Sequence, residues 1–148
     1  MAIKVKEISL WRAEVDNRPG MMARVLGPLA DAGADLRVVM GYRFSTNESK
    51  AAIEVYPVAG KKLTAAAQKG GLSPATFPAL LVEGDNAAGL GARFARAIAD
   101  AGINISFLVT HVIGRKFSSV VGFETKEEAR AAAALIKKSA AKRPAARR

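Results

Sequence analysis

The chain has no cysteine, one histidine, one tryptophan and an aromatic content of only 6%. Without cysteine there is no disulfide framework, no cysteine zinc site, no iron–sulfur cluster and no thiol nucleophile. With His111 alone, a histidine metal site or a Ser-His-Asp triad has little to draw on. Carboxylates such as Glu14, Asp16, Glu83 and Asp85 fall near expected strand ends, yet no partner residue completes a catalytic set. The expectation is therefore a protein that is not an enzyme and carries no metal or cofactor. Long apolar runs are also missing, and nothing approaches the roughly 20 residues of a membrane-spanning helix. Lys4, Lys6 and Glu7 sit where a secretory segment would be apolar. A cytoplasmic protein with no membrane partner is expected.

What is present is a hydrophobic half in 148 residues, enough for one ordinary domain or two small ones. The net charge is +10, but six of the cations lie between Lys137 and Arg148, leaving +4 on residues 1–136. The basicity is mostly the stretch from Lys137 to Arg148, and the Ala, Lys, Arg and Pro composition of the tail, 139–148, predicts disorder. Such a tail alone would give weak, salt-dependent nucleic-acid binding. The segment Phe117–Phe123 lacks the aromatic-rich pattern of an RNA-binding sheet. Nucleic acid is kept only as an alternative partner.

An internal repeat organises the rest. Asp16-Asn17-Arg18-Pro19-Gly20-Met21-Met22-Ala23-Arg24 faces Asp85-Asn86-Ala87-Ala88-Gly89-Leu90-Gly91-Ala92-Arg93 at an offset of 69, and nine of 21 positions agree over 16–36. Each copy predicts a first strand (8–15, 79–84), then a helix (19–32, 88–101). Met21, Val25 and Leu29, and likewise Leu90, Phe94 and Ile98, are spaced four apart and form one apolar stripe per helix. Pro28 is expected to bend the first helix near Arg24, whose carbonyl its ring crowds, while Gly33 and Gly102 suit a left-handed helix end.

Strict alternation follows. Leu36, Val38, Met40, Tyr42 and Phe44 share one strand face; Ile105, Phe107, Val109, His111 and Ile113 match them. His111 replaces Tyr42 and reads as a packed core or interface histidine, and Trp11 as packing. Third strands are predicted at 50–56 and 117–123, with Ala51-Ala52-Ile53 set against Ser118-Ser119-Val120 at an offset of 67. Second helices begin near Lys61 and at Thr125, where Thr125-Lys126-Glu127-Glu128 has capping-box spacing. A last short strand is expected near 74–77, with no counterpart placed in the second copy. The order is β-α-β-β-α-β, twice. Repeat boundaries of 1–74 and 75–138 follow.

Asp16-Asn17-Arg18-Pro19-Gly20-Met21 between strand and helix, with Ala32-Gly33-Ala34-Asp35-Leu36 at the helix end, resembles the ACT domain. The second copy, Asp85-Asn86-Ala87-Ala88-Gly89, is a degraded version, and Asn104 matches the family pattern where Asp35 departs from it. The resemblance covers roughly residues 6–138 and implies an α+β protein of two ferredoxin-like βαββαβ repeats with antiparallel sheets, side by side. It further implies a free-standing tandem regulatory protein that binds a small molecule, commonly an amino acid, through domain pairing, as a homodimer or higher homo-oligomer acting on a protein partner. In that family the ligand lies between one domain's turn and a neighbouring sheet. The matching positions here are Asp16, Asn17, Arg18, Gly20 and Met21, and Asp85, Asn86, Gly89, Leu90 and Asn104.

Physics supports such a turn independently. A helix N-terminus favours an anion such as a carboxylate, glycine permits close approach, and Asp16 or Asp85 could hold an ammonium group. The same Asp and Asn residues also serve as ordinary helix caps. A ligand-free interaction scaffold remains the alternative function.

Overall fold

Short runs of Val, Ile and Ala with period two form eight strands in the computed structural model, which describes residues 3–141. They are β1 (Ile3–Ile8), β2 (Trp11–Asp16), β3 (Val38–Arg43), β4 (Lys50–Tyr56), β5 (Ser73–Pro74), β6 (Ala79–Asp85), β7 (Phe107–Ile113) and β8 (Lys116–Gly122). The period-3.6 segments form α1 (Met21–Asp31), α2 (Lys61–Lys69), α3 (Leu90–Asp100) and α4 (Lys126–Ala141). Two antiparallel four-stranded sheets result, ordered β3-β4-β2-β5 and β1-β6-β8-β7. The fold is thus α+β, two ferredoxin-like repeats, as expected.

Each repeat buries its own core. In the first, Val25 and Leu29 of α1 pack with Ala13, Ile53 and Val55 of the sheet and Ala67 of α2. In the second, Leu90, Phe94 and Ile98 of α3 pack with Leu80, Val82, Phe117 and Val121, and with Ile136 of α4. Each large side chain buried this way contributes about 1.5–3 kcal/mol. Gly33 and Gly102 follow the helices with φ of 82° and 73°, the left-handed ends expected. Thr125 Oγ1 accepts from the Glu128 amide at 3.1 Å and donates to Glu128 Oε1 at 3.2 Å, capping the start of α4.

Several boundaries move. The expected strand over 8–15 is two strands, because the chain leaves one sheet after Ile8 and enters the other at Trp11. Ser9–Thr76 forms one compact unit, and the described residues through Ile8 join those from Phe77 onward in the other. The expected boundaries of 1–74 and 75–138 are corrected accordingly. β5 pairs with β2 at the edge of its sheet, and β1 pairs antiparallel with β6 at the equivalent edge. The missing last strand of the second repeat is therefore the N-terminal strand of the chain. Helix α1 contains Pro28 and runs on to Asp31. Helix α4 extends to Ala141, so positions 139–141 of the expected tail are helical, and residues 142–148 lie outside the described residues.

The offset of the third strands also changes. Asp16 pairs in register with Lys50, and Asp85 with Lys116. Equivalent positions in β4 and β8 thus differ by 66, not 67. A one-residue slip exchanges the two faces of a strand, so Ile53 corresponds to Ser119 and Glu54 to Val120.

Candidate functional site

The two Asp-Asn turns are built alike. Lys50 Nζ donates to Asp16 Oδ1 at 2.7 Å, and Lys116 Nζ donates to Asp85 Oδ1. Both carboxyls are held below their ordinary values, chiefly by these lysine hydrogen bonds and then by the lysine charge. Both aspartates therefore have a cationic partner within the chain. The Asn17 amide donates to the Ser49 carbonyl at 2.9 Å, and the Asn86 amide to the Arg115 carbonyl at 2.8 Å, tying each turn to the facing hairpin. Gly20 and Gly89 then enter α1 and α3 with φ of 90° and 79°, a region costly for residues with a Cβ. Neither helix has a side-chain cap, so their first amides carry no side-chain acceptor.

Beneath these turns the repeats differ. In the second, α3 stands off its sheet over a cavity of about 470 Å³. Its walls are apolar, with Val82, Phe94, Ile98, Ile105 and Phe117 prominent, and it reaches the surface at exposed Asn86, Ala88 and Gly89. No charged side chain lines it among the described residues. Its sheet side carries two hydroxyls: Thr110 Oγ1 and Ser119 Oγ, cross-strand partners 2.6 Å apart. Ser119 is only 6% exposed.

In the first repeat the corresponding hollow is about 240 Å³. Thr110 and Ser119 correspond there to Gly41 and Ile53, which also pair across strands. Gly91 corresponds to Met22, whose methyl lies where a Cβ on Gly41 would stand. Met22 fills space that Gly91 leaves open.

Of the residues expected at the site, Asn86, Gly89 and Leu90 line the larger cavity. Asp16, Asn17, Arg18 and Met21 line the smaller one. Gly20 sets the entry to α1 without lining it, Asp85 is turned to Lys116, and Asn104 is exposed on the loop between α3 and β7. Thr110 and Ser119 were not anticipated. The signal was present as two polar residues interrupting an apolar strand face, but the offset of 67 set Ser119 against Ala52.

On the opposite face of the first sheet, Arg12 and Glu54 are register partners. Glu54 is 1% exposed, and its Oε1 lies 3.6 Å from Arg12 Nε. Burial pushes the Glu54 carboxyl up, opposed by the Arg12 charge and a hydrogen bond from Tyr42. Burial likewise raises Tyr42, with the Glu54 charge adding to it. Arg12 also donates to Glu14 at 2.7 Å and lies 5.6 Å from the Phe44 ring centroid. The corresponding second-repeat residues are Leu81, Val120 and His111. His111 is exposed rather than packed. Trp11 does pack against the core of the first repeat. No group of three or more metal-ligating side chains occurs among the described residues, and no described helix is long and apolar enough to cross a membrane.

No protein-family model matches the sequence, and no curated protein does. Among solved structures the chain is similar to protein BT0572 from Bacteroides thetaiotaomicron, at 12% identity and a TM-score of 0.74, covering 92% of this chain and 90% of that one. It is also similar to the regulatory subunit of aspartate kinase from Thermus thermophilus, at 16% identity and a TM-score of 0.61 over 94% and 97% of the two chains. The corresponding subunit from Thermus flavus gives 18% identity and a TM-score of 0.57 over 93% and 95%. At such identities the likeness is one of fold.

Proposed function

We propose that this chain is a non-catalytic regulatory protein of the ACT type that binds an amino acid in its second repeat and acts through pairing of its domains. The observation that carries this reading is the cavity of about 470 Å³ beneath the uncapped start of α3. Its size falls in the range of small-molecule sites, apolar with a few placed polar groups. The ligand carboxylate sits on the amides of Gly89 and Gly91, where the helix dipole favours an anion. Its side chain enters the apolar space, and its ammonium group stays at the surface beside Asn86. The regulatory subunits among the similar structures support the regulatory part by analogy of fold.

Pairing is supported by the edge strand β7. Leu108, Val109, Val112 and Ile113 are 51%, 45%, 49% and 74% exposed, a large apolar surface on an edge with one neighbour. Leu108 also lines the cavity. A second copy docked on β7 would touch the wall of the ligand site, so ligand and assembly become linked through their differential affinity.

Thermal denaturation of the full chain against the twenty amino acids, with nucleotides as controls, tests the reading. A ligand at about 100 times its dissociation constant adds about 2.7 kcal/mol, worth roughly 2–4 °C per kcal/mol at this size. Gly91→Met, which imports the first repeat's Met22, should abolish the shift while leaving the unliganded midpoint equal or higher. A Cβ at Gly91 meets open space, and methionine is the better helix former. If no amino acid shifts the wild type, the exposed β7 edge favours the ligand-free scaffold instead. Nucleic-acid binding through the basic tail rests on residues 142–148, outside those described.

A further inference from the structure

We infer that the second-repeat cavity selects a ligand whose apolar body carries one hydrogen-bond acceptor, and that Thr110 and Ser119 read that group. The inference deepens the small-molecule reading above and rests on it. The two copies of the fold supply its control. At equivalent sheet positions the first repeat has Gly41 and Ile53, both apolar, under the side chain of Met22. The second has Thr110 and Ser119, both hydroxylic, under a glycine. One copy therefore has the smaller hollow with an apolar floor, the other the larger with a polar spot on its floor.

The hydrogen-bond inventory determines what that spot needs. Two hydroxyls 2.6 Å apart share one hydrogen bond, so whichever donates, one proton is left over. In the empty cavity water can accept it. Ser119 is buried while Thr110 is exposed on the edge strand, so the spare proton rests with Thr110, which a ligand covering that side chain cuts off from water. Once Thr110 is covered, that proton must meet an acceptor on the ligand or lose its hydrogen bond. Around it, Phe94 and Phe117, with ring centroids 6.3 Å apart, present aromatic surface. A ring bearing a hydroxyl satisfies both demands; the same ring without it leaves the proton stranded. Sites built to hydrogen-bond a substrate group reject the analogue lacking it far more strongly than apolar pockets reject a missing methylene.

The test is calorimetric titration of the full chain with two matched pairs, tyrosine against phenylalanine and 4-hydroxyphenylacetate against phenylacetate. Within a pair the hydroxylated member should bind at least about tenfold tighter. Thr110→Val with Ser119→Ala should bring the ratio near one by weakening the hydroxylated member. If the double variant does not fold, Thr110→Val alone should reduce the ratio. Equal binding within both pairs overturns the inference and leaves the ligand-binding reading standing. Discrimination confined to the phenylacetate pair supports the inference and removes the amino-acid part of the reading. No binding by any of the four compounds overturns the inference, and the twenty-amino-acid screen then decides the reading separately.

Discussion

At Glu54, burial and a neighbouring charge pull in opposite directions. The carboxyl is almost fully enclosed, and its position above the ordinary carboxylate range means that burial outweighs the help from Arg12 and Tyr42. A group that binds its proton more tightly when folded gives its full contribution below its unfolded pKa. That contribution is lost as pH rises through the folded one. Glu54→Gln should therefore gain on the wild type in urea unfolding as pH rises above about 4, the gap closing at the acid end. A difference independent of pH would sink this account. Asp16 and Asp85 carry the opposite sign: their lysine bonds stabilise above the unfolded pKa and weaken as pH falls through the lowered folded value. The two trends oppose one another, so the wild-type profile alone reports neither.

Among the elements, β1 does what no local pattern announces. The Asp-Asn turns, the helical stripes, the strand alternation and the cap at Thr125 are each written within about 20 residues, and each is legible in sequence. The pairing of Ile3–Ile8 with Ala79–Gly84 is not, because its partner lies more than 70 residues on. The hairpin offset was missed for a related reason. Residue matching favours 67, whereas the ladder is set by Asp16 with Lys50 and Asp85 with Lys116. Of the site, the turn residues were legible by motif. The cavity was not, since it depends on Met22 reaching over Gly41 in one copy and Gly91 leaving the space vacant in the other. Removing residues 1–8 should uncover the β6 edge and the packing of Ile3 and Val5 against the second core. Amide hydrogen exchange would then accelerate in β6 and β8 while β2 and β4 keep their protection. Uniform loss in both sheets would show instead that the two units unfold as one.

For the whole molecule, the exposed edge at β7 makes assembly the property to measure. Antiparallel pairing of two β7 strands would satisfy backbone groups and cover Leu108, Val109, Val112 and Ile113 together. If two copies pair through β7 as proposed, Ile113→Lys, at the most exposed of these positions, should shift gel filtration from dimer to monomer with little change in unfolding midpoint. Charge on an edge strand is a standard barrier to strand pairing. An unchanged elution volume would remove β7 from the interface. Ligand effects should then be read against this equilibrium, since any compound preferring the paired form makes the apparent midpoint depend on protein concentration.

The borrowed strand also has a history in time. As the ribosome delivers the chain at about 5–20 residues per second, β1 emerges well ahead of its partner strand, since Ala79, the partner of Ile8, is 71 residues behind it. For roughly 4–14 s the strand has no edge to join. Ser9–Thr76 can meanwhile close its own sheet and core. A segment made early is thus among the last to find its place, and the second repeat gains its edge strand only after Ala79–Asp85 has been synthesised.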